Sequence, residues 1–561
     1  RHPARLPSLT NGRDTQRHPV AIVGGGPVGY TVALGLAAHG VHSVLLEADD
    51  SVCFGSRAIC ISRRSLQIFD RLGALDGFLK VGLRWTGGRS FYRQDEVLHF
   101  TMPHDENQKL PPMVNLAQYH IEQVLLDRAE ALSEFIDMRW QSRVTGIDAQ
   151  ENGATLAVET PLGSYALEAD WVVAADGGRS FVRDALGLEL KGTTYEGRYV
   201  IVDILLESDR PTERLAYFDP PCNPGSTVLV HKQPDNVWRV DYQLQDGEDP
   251  DEAIRPENVI PRVASLLEMM GEHGAWSPIW IAMYRAHALT LDRYRHGRVL
   301  FAGDAAHLLP IFGVRGANSG IDDADNLAWK LAFVVKGLAG DALLDSYSDE
   351  RVAAARENLA QGTKSTEFMA PPSFAFSLMR DAVLGLARKH PGVKSLINPR
   401  QTSAIAYTTS PLNTGDPSPG FDAGPASGSV LPECPVTFVS AAGSKGVHLS
   451  DVLGADFTVL VFTDGLALPD ALRDTVDDFA ARGLPIRALP VVRADAPSPA
   501  APAMRDHTGR LFPMYGVRDG AVYVVRPDGH VLARWHGNDV DPLRDALARV
   551  CDTFFRMDTP S

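Results

Sequence analysis

The sequence predicts an α/β protein made of more than one domain. Three observations lead to this prediction: a strand–helix–strand unit near the N-terminus, a central region of alternating apolar and polar residues, and a second α/β stretch after a break rich in Pro and Gly. The chain has 561 residues, of which 44% are apolar and 22% charged. At roughly 150 residues per domain, this length predicts about two to four domains. The composition excludes a disordered or fibrous chain.

Charge and cysteine content narrow the classes of function. The 54 Lys and Arg residues against 70 Asp and Glu residues give a net charge of −16, which disfavours a nucleic-acid partner. No run of about 20 apolar residues predicts a membrane span, and no cluster has the spacing of a metal site. The five cysteines form no CxxC pair, which is typical of reduced thiols. We therefore expect a cytoplasmic protein without a metal.

The N-terminal unit carries a glycine-rich turn. A buried strand, the run Gly24-Gly25-Gly26-Pro27-Val28-Gly29, a helix and a second strand follow one another over residues 20–47. The spaced glycines allow a tight turn and let a pyrophosphate approach the N-terminus of the helix. Glu47 ends the second strand, where a carboxylate can accept hydrogen bonds from ribose hydroxyls; a solvated surface charge is the alternative. This unit predicts Rossmann-like dinucleotide binding.

Two later segments each place an Asp beside a Gly after a buried strand. They are Val173-Ala174-Ala175-Asp176-Gly177-Gly178-Arg179-Ser180 and Val299-Leu300-Phe301-Ala302-Gly303-Asp304-Ala305. Either Asp alone would be read as a turn or a helix cap. Together with the glycine-rich turn, and in this order, they resemble the motifs of the FAD-dependent aromatic hydroxylases, the family of para-hydroxybenzoate hydroxylase and phenol 2-monooxygenase. The resemblance covers roughly residues 19–365.

The resemblance implies a division of the chain into domains. We expect a Rossmann-like FAD-binding domain with an inserted β-sheet lobe for the substrate, followed by a thioredoxin-like α/β domain. The expected divisions are a flexible tail over 1–18, the FAD-binding domain over 19–83, 114–190 and 284–365, the substrate-binding lobe over 84–113 and 191–283, a helical segment and linker over 366–415, and the C-terminal domain over 416–561.

The resemblance also implies contacts to a non-covalently bound FAD. Asp304 would hold the ribityl chain, and Gly303 would allow the backbone to approach the cofactor closely. Asp176 and Gly177 would lie near the pyrophosphate and the access route of the nicotinamide donor. A short carboxylate at a strand end can bind a polyol hydroxyl without blocking the cofactor.

Further contacts are implied by single matching positions. Arg57 stands where the family has an Arg close to FAD, and Gln118 resembles the family's FAD-contacting Gln at the start of a helix. A surface Arg and an ordinary helix-terminal Gln are the alternatives.

The segment from Pro310 to Gly320 resembles the family's loop beside the flavin ring, ahead of a long amphipathic helix predicted from Asp322. Backbone N–H groups of this loop, which includes Gly316 and Asn318, would meet the pyrimidine edge. The helix dipole would stabilise reduced flavin. Pro310 is placed in the catalytic set, although it could simply shape a turn.

The functional residues of the substrate lobe are harder to identify from the sequence than those of the FAD-binding domain. Alternate residues of its strands should face the pocket, and the polar candidates there are Tyr217, His231, Asp241 and Tyr284, of which His231 and Tyr284 are placed in the catalytic set. Tyr284 stands where phenol 2-monooxygenase has a Tyr at the substrate hydroxyl, and it is the predicted group for assisting deprotonation of a phenol. A Tyr packed inside the lobe, and ordinary sheet-face residues at His231 and Asp241, are the alternatives.

Residues after about 410 resemble the thioredoxin-like extension of the phenol 2-monooxygenase and 3-(3-hydroxyphenyl)propionate hydroxylase branch. Tyr515-Gly516 and Val525-Arg526-Pro527-Asp528-Gly529-His530-Val531 carry this resemblance. Thioredoxin chemistry needs a CxxC pair, and this region has only Cys434 and Cys551. We expect a redox-inactive domain for support or subunit contact, in a homodimer.

The resemblance implies a single-component monooxygenase of aromatic catabolism. It would hydroxylate a small phenolic substrate with NADPH or NADH and O2, through a flavin C4a-hydroperoxide. Two alternatives stay open: a flavin oxidoreductase of the same fold acting on a non-aromatic substrate, and a non-catalytic flavin-binding protein.

Overall fold

Three large β-sheets organise the chain. The computed structural model describes residues 1–245, 247–397, 401–415, 421–465, 467–497, 499, 502–517 and 520–556. The sheets have nine, eight and seven strands, and a three-stranded sheet completes the set. The first sheet belongs to the N-terminal domain, the second to the inserted lobe and the third to the C-terminal domain. The predicted α/β class is confirmed.

The strands and helices of the described residues have the following bounds. The strands are β1 Leu9–Thr10, β2 Arg13–Val23, β3 Ser43–Leu46, β4 Cys60–Ser62, β5 Leu83–Trp85, β6 Gly87–Tyr92, β7 Asp95–Thr101, β8 Met113–Asn115, β9 Ile136–Arg139, β10 Arg143–Gln150, β11 Gly153–Thr160, β12 Gly163–Ala174, β13 Lys191–Leu206, β14 Arg214–Phe218, β15 Thr227–Lys232, β16 Val237–Gln243, β17 Trp276–Thr290, β18 Arg295–His296, β19 Val299–Phe301, β20 His307–Leu308, β21 Pro435–Ser440, β22 Gly443–His448, β23 Phe457–Phe462, β24 Ile486–Val492, β25 Ala503–Arg505, β26 Ala521–Val525 and β27 Val531–His536. The helices are α1 Pro27–Ala38, α2 Arg63–Arg71, α3 Leu75–Val81, α4 Gln118–Glu130, α5 Phe181–Ala185, α6 Pro250–Ala253, α7 Pro256–Met270, α8 Gly316–Val335, α9 Leu343–Met369, α10 Phe374–Ala387, α11 Leu449–Val452, α12 Asp470–Ala481, α13 Leu511–Met514, α14 Asp541–Val550 and α15 Asp552–Arg556.

The N-terminal domain is built on five parallel strand segments in the order β9, β3, β2, β12, β19. Their buried runs of Val, Ile, Leu and Ala suit strands that are covered on both faces. Because the strands are parallel, the carboxyl ends of β2, β3, β12 and β19 meet at one edge of the sheet. A ligand of an open α/β sheet binds at such an edge.

Residues 1–18 are not a flexible tail, contrary to the prediction. β1 pairs with the start of β2, and β2 begins at Arg13, well before the predicted Pro19. The early part of β2 continues the parallel ladder with β12, from Arg13 opposite Ala166 to Val23 opposite Ala174. The polar composition of this segment reflects an exposed sheet extension, which its sequence does not distinguish from a loose terminus.

The inserted lobe is a sheet in the order β20, β17, β13, β16, β15, β14, β6, β7. One face is covered by α7 and packs apolar side chains such as Val202, Val230 and Val240. The alternate residues of the same strands face the N-terminal domain. β17 runs from Trp276 to Thr290, so the predicted domain boundary at 283/284 falls inside a strand and Tyr284 belongs to the sheet.

The C-terminal domain contains a mixed sheet in the order β22, β21, β25, β24, β23, β26, β27. The strand predicted at 457–462 and the helix predicted near 469–482 are present as β23 and α12. The boundary predicted at 416 lies outside the described residues. Cys434 and Cys551 are both buried free thiols. Burial raises the pKa of each thiol, because the charged thiolate is disfavoured when it is removed from water.

Candidate active site

A cavity of about 1000 Å³ lies between the carboxyl edge of the N-terminal sheet and the inner face of the lobe sheet. This volume is at the upper end of the range for small-molecule and cofactor sites. The cavity is reached by loops that follow β2, β3, β12 and β19 and by the N-terminus of α8. Of the predicted site residues, fourteen line it: Gly24, Gly26, Pro27, Glu47, Arg57, Gln118, Asp176, Gly177, His231, Asp241, Tyr284, Asp304, Gly316 and Asn318.

The glycine-rich turn and Glu47 form one unit at the edge of the cavity. Glu47 accepts hydrogen bonds from the N–H of Gly25 at 2.6 Å and from the N–H of Asp49 at 2.8 Å. Burial raises the pKa of Glu47, and these two N–H groups partly offset that effect. A Cβ on Gly25 would stand 2.9 Å from the Glu47 carboxylate. The turn therefore has room for the carboxylate only because it lacks side chains.

Two predicted glycines act through packing and do not line the cavity. A Cβ on Gly29 would stand 1.9 Å from the carbonyl oxygen of Gly24, so α1 can leave the strand end this closely only at a glycine. Gly303 has φ +65°, and a Cβ there would stand 2.8 Å from the Val28 side chain. Because both positions lack a side chain, the backbone segments that border the cavity can pack this closely.

Asp304 presents its side chain to the cavity. It is exposed there although protein surrounds it on all other sides, because it follows β19 in a single turn of 3₁₀ helix at the mouth of the sheet. Burial raises the pKa of Asp304, and nearby His307 opposes that rise. A carboxylate in this position can accept hydrogen bonds from hydroxyl groups of a ligand.

Helix α8 begins at Gly316, earlier than the predicted Asp322. Gly316 and Asn318 are therefore in its first turn, where N–H groups lack partners within the helix and point towards the cavity. The Asn318 side chain is fully engaged elsewhere. Its oxygen accepts from Ser62 N at 2.9 Å and Ser65 Oγ at 2.7 Å, and its amide donates to Cys60 O at 3.1 Å and Val314 O at 2.7 Å. The Asn318 side chain thus fixes the helix start.

Pro310 does not line the cavity, contrary to its place in the predicted catalytic set. It is buried, and its ring packs 3.0 Å from where a Cβ of Gly362 on α9 would stand. Phe312, two residues later, is the aromatic residue that reaches the cavity. Val314 has φ +53°, a left-handed conformation that is unfavourable for a β-branched residue. Such backbone strain is typical of functional loops.

Arg57 belongs to a loop at the cavity wall, and Gln118 on α4 hydrogen-bonds to that loop. Gln118 accepts from the N–H of Ala58 at 3.2 Å and donates to Glu122 at 2.9 Å, while Glu122 accepts from the N–H of Cys53 at 2.6 Å. Arg57 is exposed, with φ +36°. Gln118 therefore shapes the loop that presents Arg57.

Asp176 is committed to a helix start. Its carboxylate accepts from Ser180 Oγ at 2.6 Å and from the N–H of Val182 at 3.1 Å, at the beginning of α5. Burial raises the pKa of Asp176, and these hydrogen bonds partly offset that effect. Gly177 has φ +80° and leaves open space beside it.

Tyr284 stands among aromatic residues at the lobe side of the cavity. Its ring stacks on Tyr199 with 5.4 Å between centroids, and Tyr199 meets Phe312 edge-on at 5.4 Å. The Tyr284 hydroxyl is buried and has no hydrogen-bond partner among the described residues. Burial raises the pKa of Tyr284 well above its ordinary value, helped by Asp241. The hydroxyl therefore stays protonated and can donate a hydrogen bond to a ligand.

A row of two arginines with a histidine between them crosses the lobe sheet. Strand register places Arg214, His231 and Arg239 side by side on β14, β15 and β16, and all three line the cavity. Arg239 makes a two-pronged ion pair with Asp241, at 2.7 Å for the closest contact. Burial, followed by the two arginines, lowers the pKa of His231 well below its ordinary value, so the imidazole is neutral.

Arg214 differs from Arg239 in having no acidic partner in the part of the chain that the structure describes. Its Nη2 is buried without a hydrogen-bond acceptor among the described residues, and burial lowers its pKa to about 10, which still leaves it charged at neutral pH. Sequence reasoning missed both arginines. The available signal was a charged residue within the apolar strands Arg214-Leu215-Ala216 and Trp238-Arg239-Val240. Tyr217, a residue that was considered, faces the other side of the sheet and stacks on Phe91.

Behind the cavity, Asp323 on α8 fixes the loop that carries Asp304. It accepts from the N–H of Gly303 at 3.0 Å, from His307 Nε2 at 2.6 Å and from Arg351 Nε at 2.6 Å. Burial opposes ionisation, but His307 and Arg351 outweigh it and lower the pKa of Asp323 to about 2.

This pKa predicts acid sensitivity. The folded-state pKa lies below the unfolded value, so the contribution to stability is complete above about pH 4 and is lost as the pH falls towards 2. We expect Asp323→Asn to lower the free energy of unfolding by about 2 kcal/mol at pH 7 and by much less near pH 2.5. Urea unfolding across this pH range measures the difference. An equal loss at both pH values would contradict the assignment.

The comparisons with known proteins agree with this geometry. A family model described as FAD binding domain matches residues 17–362, more than half of the chain. The chain belongs to this family. A second model, described as HcaD C-terminal domain, matches residues 433–550.

Curated relatives identify the branch. A 3-(3-hydroxy-phenyl)propionate/3-hydroxycinnamic acid hydroxylase of Burkholderia cenocepacia is 30% identical over 447 residues, 79% of each chain. A hydroxylase of the same name from Mycolicibacterium smegmatis is 29% identical over 522 residues, 91% of this chain and 89% of the relative. The chain is thus an FAD-dependent aromatic hydroxylase, a monooxygenase that uses NAD(P)H as co-substrate.

Solved structures show the same fold. The flavin-dependent monooxygenase PieE, solved with FAD and substrate, superposes with a TM-score of 0.80 at 22% identity, covering 96% of this chain and all of PieE. The p-nitrophenol 4-monooxygenase PnpA of Pseudomonas putida is 26% identical, with a TM-score of 0.58, and covers 69% of this chain and 99% of PnpA. Among the described residues of the present chain, no helix combines the length and apolar character needed to cross a bilayer.

The residues of the hydroxylase cavity fit FAD. The side-chain-free turn at Gly24–Gly26 opens onto the N-terminus of α1, Glu47 stands beside it, and Asp304 is exposed at the far edge of the same cavity. These groups suit, respectively, the pyrophosphate, the adenosine ribose and the ribityl polyol of FAD. The first turn of α8 offers N–H donors for an anionic ring.

Proposed function

We propose that this hydroxylase acts on a phenol that carries an anionic side chain, such as a carboxylate. The observation that carries this proposal is Arg214, a buried guanidinium that lines the cavity without an acidic partner. An arginine removed from water is stable only when a charge or strong acceptors compensate it. The relatives are named for 3-(3-hydroxy-phenyl)propionate and 3-hydroxycinnamic acid, each of which joins a phenol to a carboxylate.

The phenol ring would lie in the apolar part of the cavity. Leu229 and Tyr284 on the lobe sheet and Phe312 on the flavin-side loop provide this part, with Trp85 at its side. Arg214 is on the same sheet face as Ala216, which is opposite Leu229, so the cationic and apolar regions are contiguous. Enclosing the ring in this chamber excludes water from the reacting carbon.

Three groups of this chain would manage charge during the reaction. Tyr284 donates its hydrogen bond to the phenol oxygen and stabilises the phenolate that makes the ring nucleophilic. Arg214 binds the anionic side chain, and neutral His231 separates Arg214 from Arg239. When bound, FAD accepts electrons from NAD(P)H and activates O2 for transfer of one oxygen atom.

Tyr284→Phe tests the role of the hydroxyl. We expect kcat/KM to fall about 10- to 100-fold, which corresponds to the loss of one strong hydrogen bond to a developing phenolate. The melting temperature should stay unchanged or rise, because the wild-type hydroxyl is buried without a partner in the absence of substrate. Thermal unfolding and steady-state kinetics measure the two effects. A large loss of stability would show that the hydroxyl serves the fold.

The proposed substrate class is tested with matched phenols. The purified flavoprotein is given 3-(3-hydroxyphenyl)propionate, its primary amide and 3-propylphenol, while NAD(P)H oxidation and hydrogen peroxide are recorded together. We expect the carboxylate to stimulate oxidation with the smallest share of peroxide. Equal kcat/KM values for acid and amide would contradict an anionic substrate, and stimulation by none of the three would require a different ring.

The working form of the enzyme is part of the proposal. We expect a homodimer in the cytoplasm, consistent with the five free cysteines. Light scattering of the FAD-loaded protein at micromolar concentration tests the dimer, and a mass of one chain would exclude it.

A further inference from the structure

The C-terminal domain inserts a charged turn into the FAD-binding domain. This turn, Arg526–His530, joins β26 to β27, and the side chains of Arg526, Asp528 and His530 are all buried. Asp528 accepts a hydrogen bond from Trp329 Nε1 on α8 at 3.0 Å, and its carbonyl oxygen accepts from Arg64 on α2 at 2.8 Å. The turn therefore contacts helices of the other domain from within a region that excludes water.

Glu350 on α9 is the junction of this contact. Both carboxylate oxygens of Glu350 accept hydrogen bonds from Arg526, at 2.7 and 2.9 Å. One of these oxygens also accepts hydrogen bonds from Lys330 and Asn326 of α8, each at 2.7 Å. Ser410, in the segment before the C-terminal domain, donates to the other oxygen. Burial opposes ionisation of Glu350, but Arg526 and Lys330 outweigh it and hold its pKa well below the ordinary value.

The next residue of α9 continues the path to the cavity. Arg351 donates to Asp323 and, at 3.1 Å, to both the carbonyl and the hydroxyl of Ser319 in α8. Asp323 accepts the N–H of Gly303, and Gly303 precedes Asp304, which faces the cavity. Tyr407 contacts both α9 and the turn of the C-terminal domain. Its hydroxyl accepts a hydrogen bond from Arg351 at 3.1 Å, and its ring stacks on His530 with 4.3 Å between centroids.

We propose that the turn Arg526–His530 is a positioning element for the FAD site, acting through Glu350, Arg351 and Asp323 on the loop that presents Asp304. A buried network of charges has few alternative arrangements, because moving one member leaves another without a partner in a low dielectric. The position of α9 relative to α8 is thereby coupled to the position of the C-terminal domain. The C-terminal domain contributes to cofactor binding although none of its described residues lines the cavity.

Variants of Arg526 in the full-length chain test this coupling. We expect Arg526→Met to raise the dissociation constant for FAD about 10-fold, to alter the shape of the bound flavin absorbance bands, and to speed amide exchange over residues 299–308. Arg526→Lys keeps the charge and part of the contact, and it should restore most of the FAD affinity. Val491→Ala is the matched control, because Val491 is buried inside the C-terminal domain, away from the turn. It should lower the melting temperature while FAD affinity stays within twofold.

Two results would overturn the proposal. One is a dissociation constant for FAD within twofold of wild type in Arg526→Met, with unchanged amide exchange over 299–308. The other is a loss of FAD affinity in Val491→Ala as large as that in Arg526→Met, since general destabilisation would then explain both. Should Arg526→Met fail to fold, Arg526→Lys carries the test, with an expected two- to threefold rise and faster exchange. None of these measurements involves a phenol, so they are independent of the proposed substrate.

Discussion

Asp304→Ala is expected to raise the dissociation constant for FAD about 100-fold. Asp304 is the carboxylate that the cavity exposes at the end of β19, and the strand, Gly303 and Asp323 fix its position. Hydrogen bonds to a charged group contribute about 1.5–3 kcal/mol each, which corresponds to roughly 10- to 150-fold in affinity. The variant should fold normally, because Asp304 makes no ion pair with any described residue that the substitution would leave incomplete.

Titration of the apoprotein with FAD, followed by flavin fluorescence, measures this effect. Absorbance after desalting gives a second readout of occupancy. Asp184→Ala is the matched control, because Asp184 is an exposed aspartate on α5 that does not line the cavity. Wild-type retention of flavin by the Asp304→Ala protein would remove Asp304 from the cofactor site.

Arg214→Met is expected to lower kcat/KM for a carboxylated phenol about 100-fold, mainly through KM. The substitution keeps an unbranched side chain of similar length and removes the charge that would face the substrate anion. In the low-dielectric setting of the cavity, the carboxylate would be left uncompensated, at a cost of about 2–3 kcal/mol. The free enzyme should not lose stability, because the variant removes a buried charge that has no acidic partner.

A neutral substrate and a second arginine variant serve as controls, which distinguish loss of carboxylate binding from a general disturbance of the cavity. For the neutral 3-propylphenol, the Arg214→Met enzyme should match wild type within about threefold. Arg89→Met, on neighbouring β6, removes an arginine that pairs with Glu96 and Glu213 at the surface. This variant should leave kcat/KM unchanged for both the acid and the neutral phenol. A parallel loss for acid and neutral phenol in Arg214→Met would show that Arg214 shapes the chamber and does not bind an anion.

The sequence predicts which residues after the parallel strands meet at one cavity, because the signals for these residues are local. The glycine-rich turn, Glu47, Asp176 and Asp304 each follow a buried strand directly, and parallel strands bring their carboxyl ends to one edge of a sheet. The prediction was weaker where a loop decides the geometry. Pro310 lies against α9 outside the cavity, and α8 starts six residues earlier than expected because Asn318 fastens its first turn to β4 and α2.

The substrate half could not be predicted in the same way. Arg214, His231 and Arg239 become neighbours only through the pairing of three strands, and register is a property of the assembled sheet. The burial that lowers the pKa of His231 and raises that of Tyr284 also depends on the closed chamber. The role of Arg526–His530 is a third example, since its partners on α8 and α9 are about 180–200 residues earlier in the chain.

The most direct test of the account is product analysis with isotopically labelled O2. The FAD-loaded enzyme is incubated with NAD(P)H and 3-(3-hydroxyphenyl)propionate, and the product is examined by mass spectrometry. We expect a product with one additional oxygen atom that carries the label, formed in near-equal amount to the NAD(P)H consumed. NAD(P)H consumption that yields only hydrogen peroxide with this acid, alongside labelled product from the neutral 3-propylphenol, would contradict an anionic phenol as the substrate.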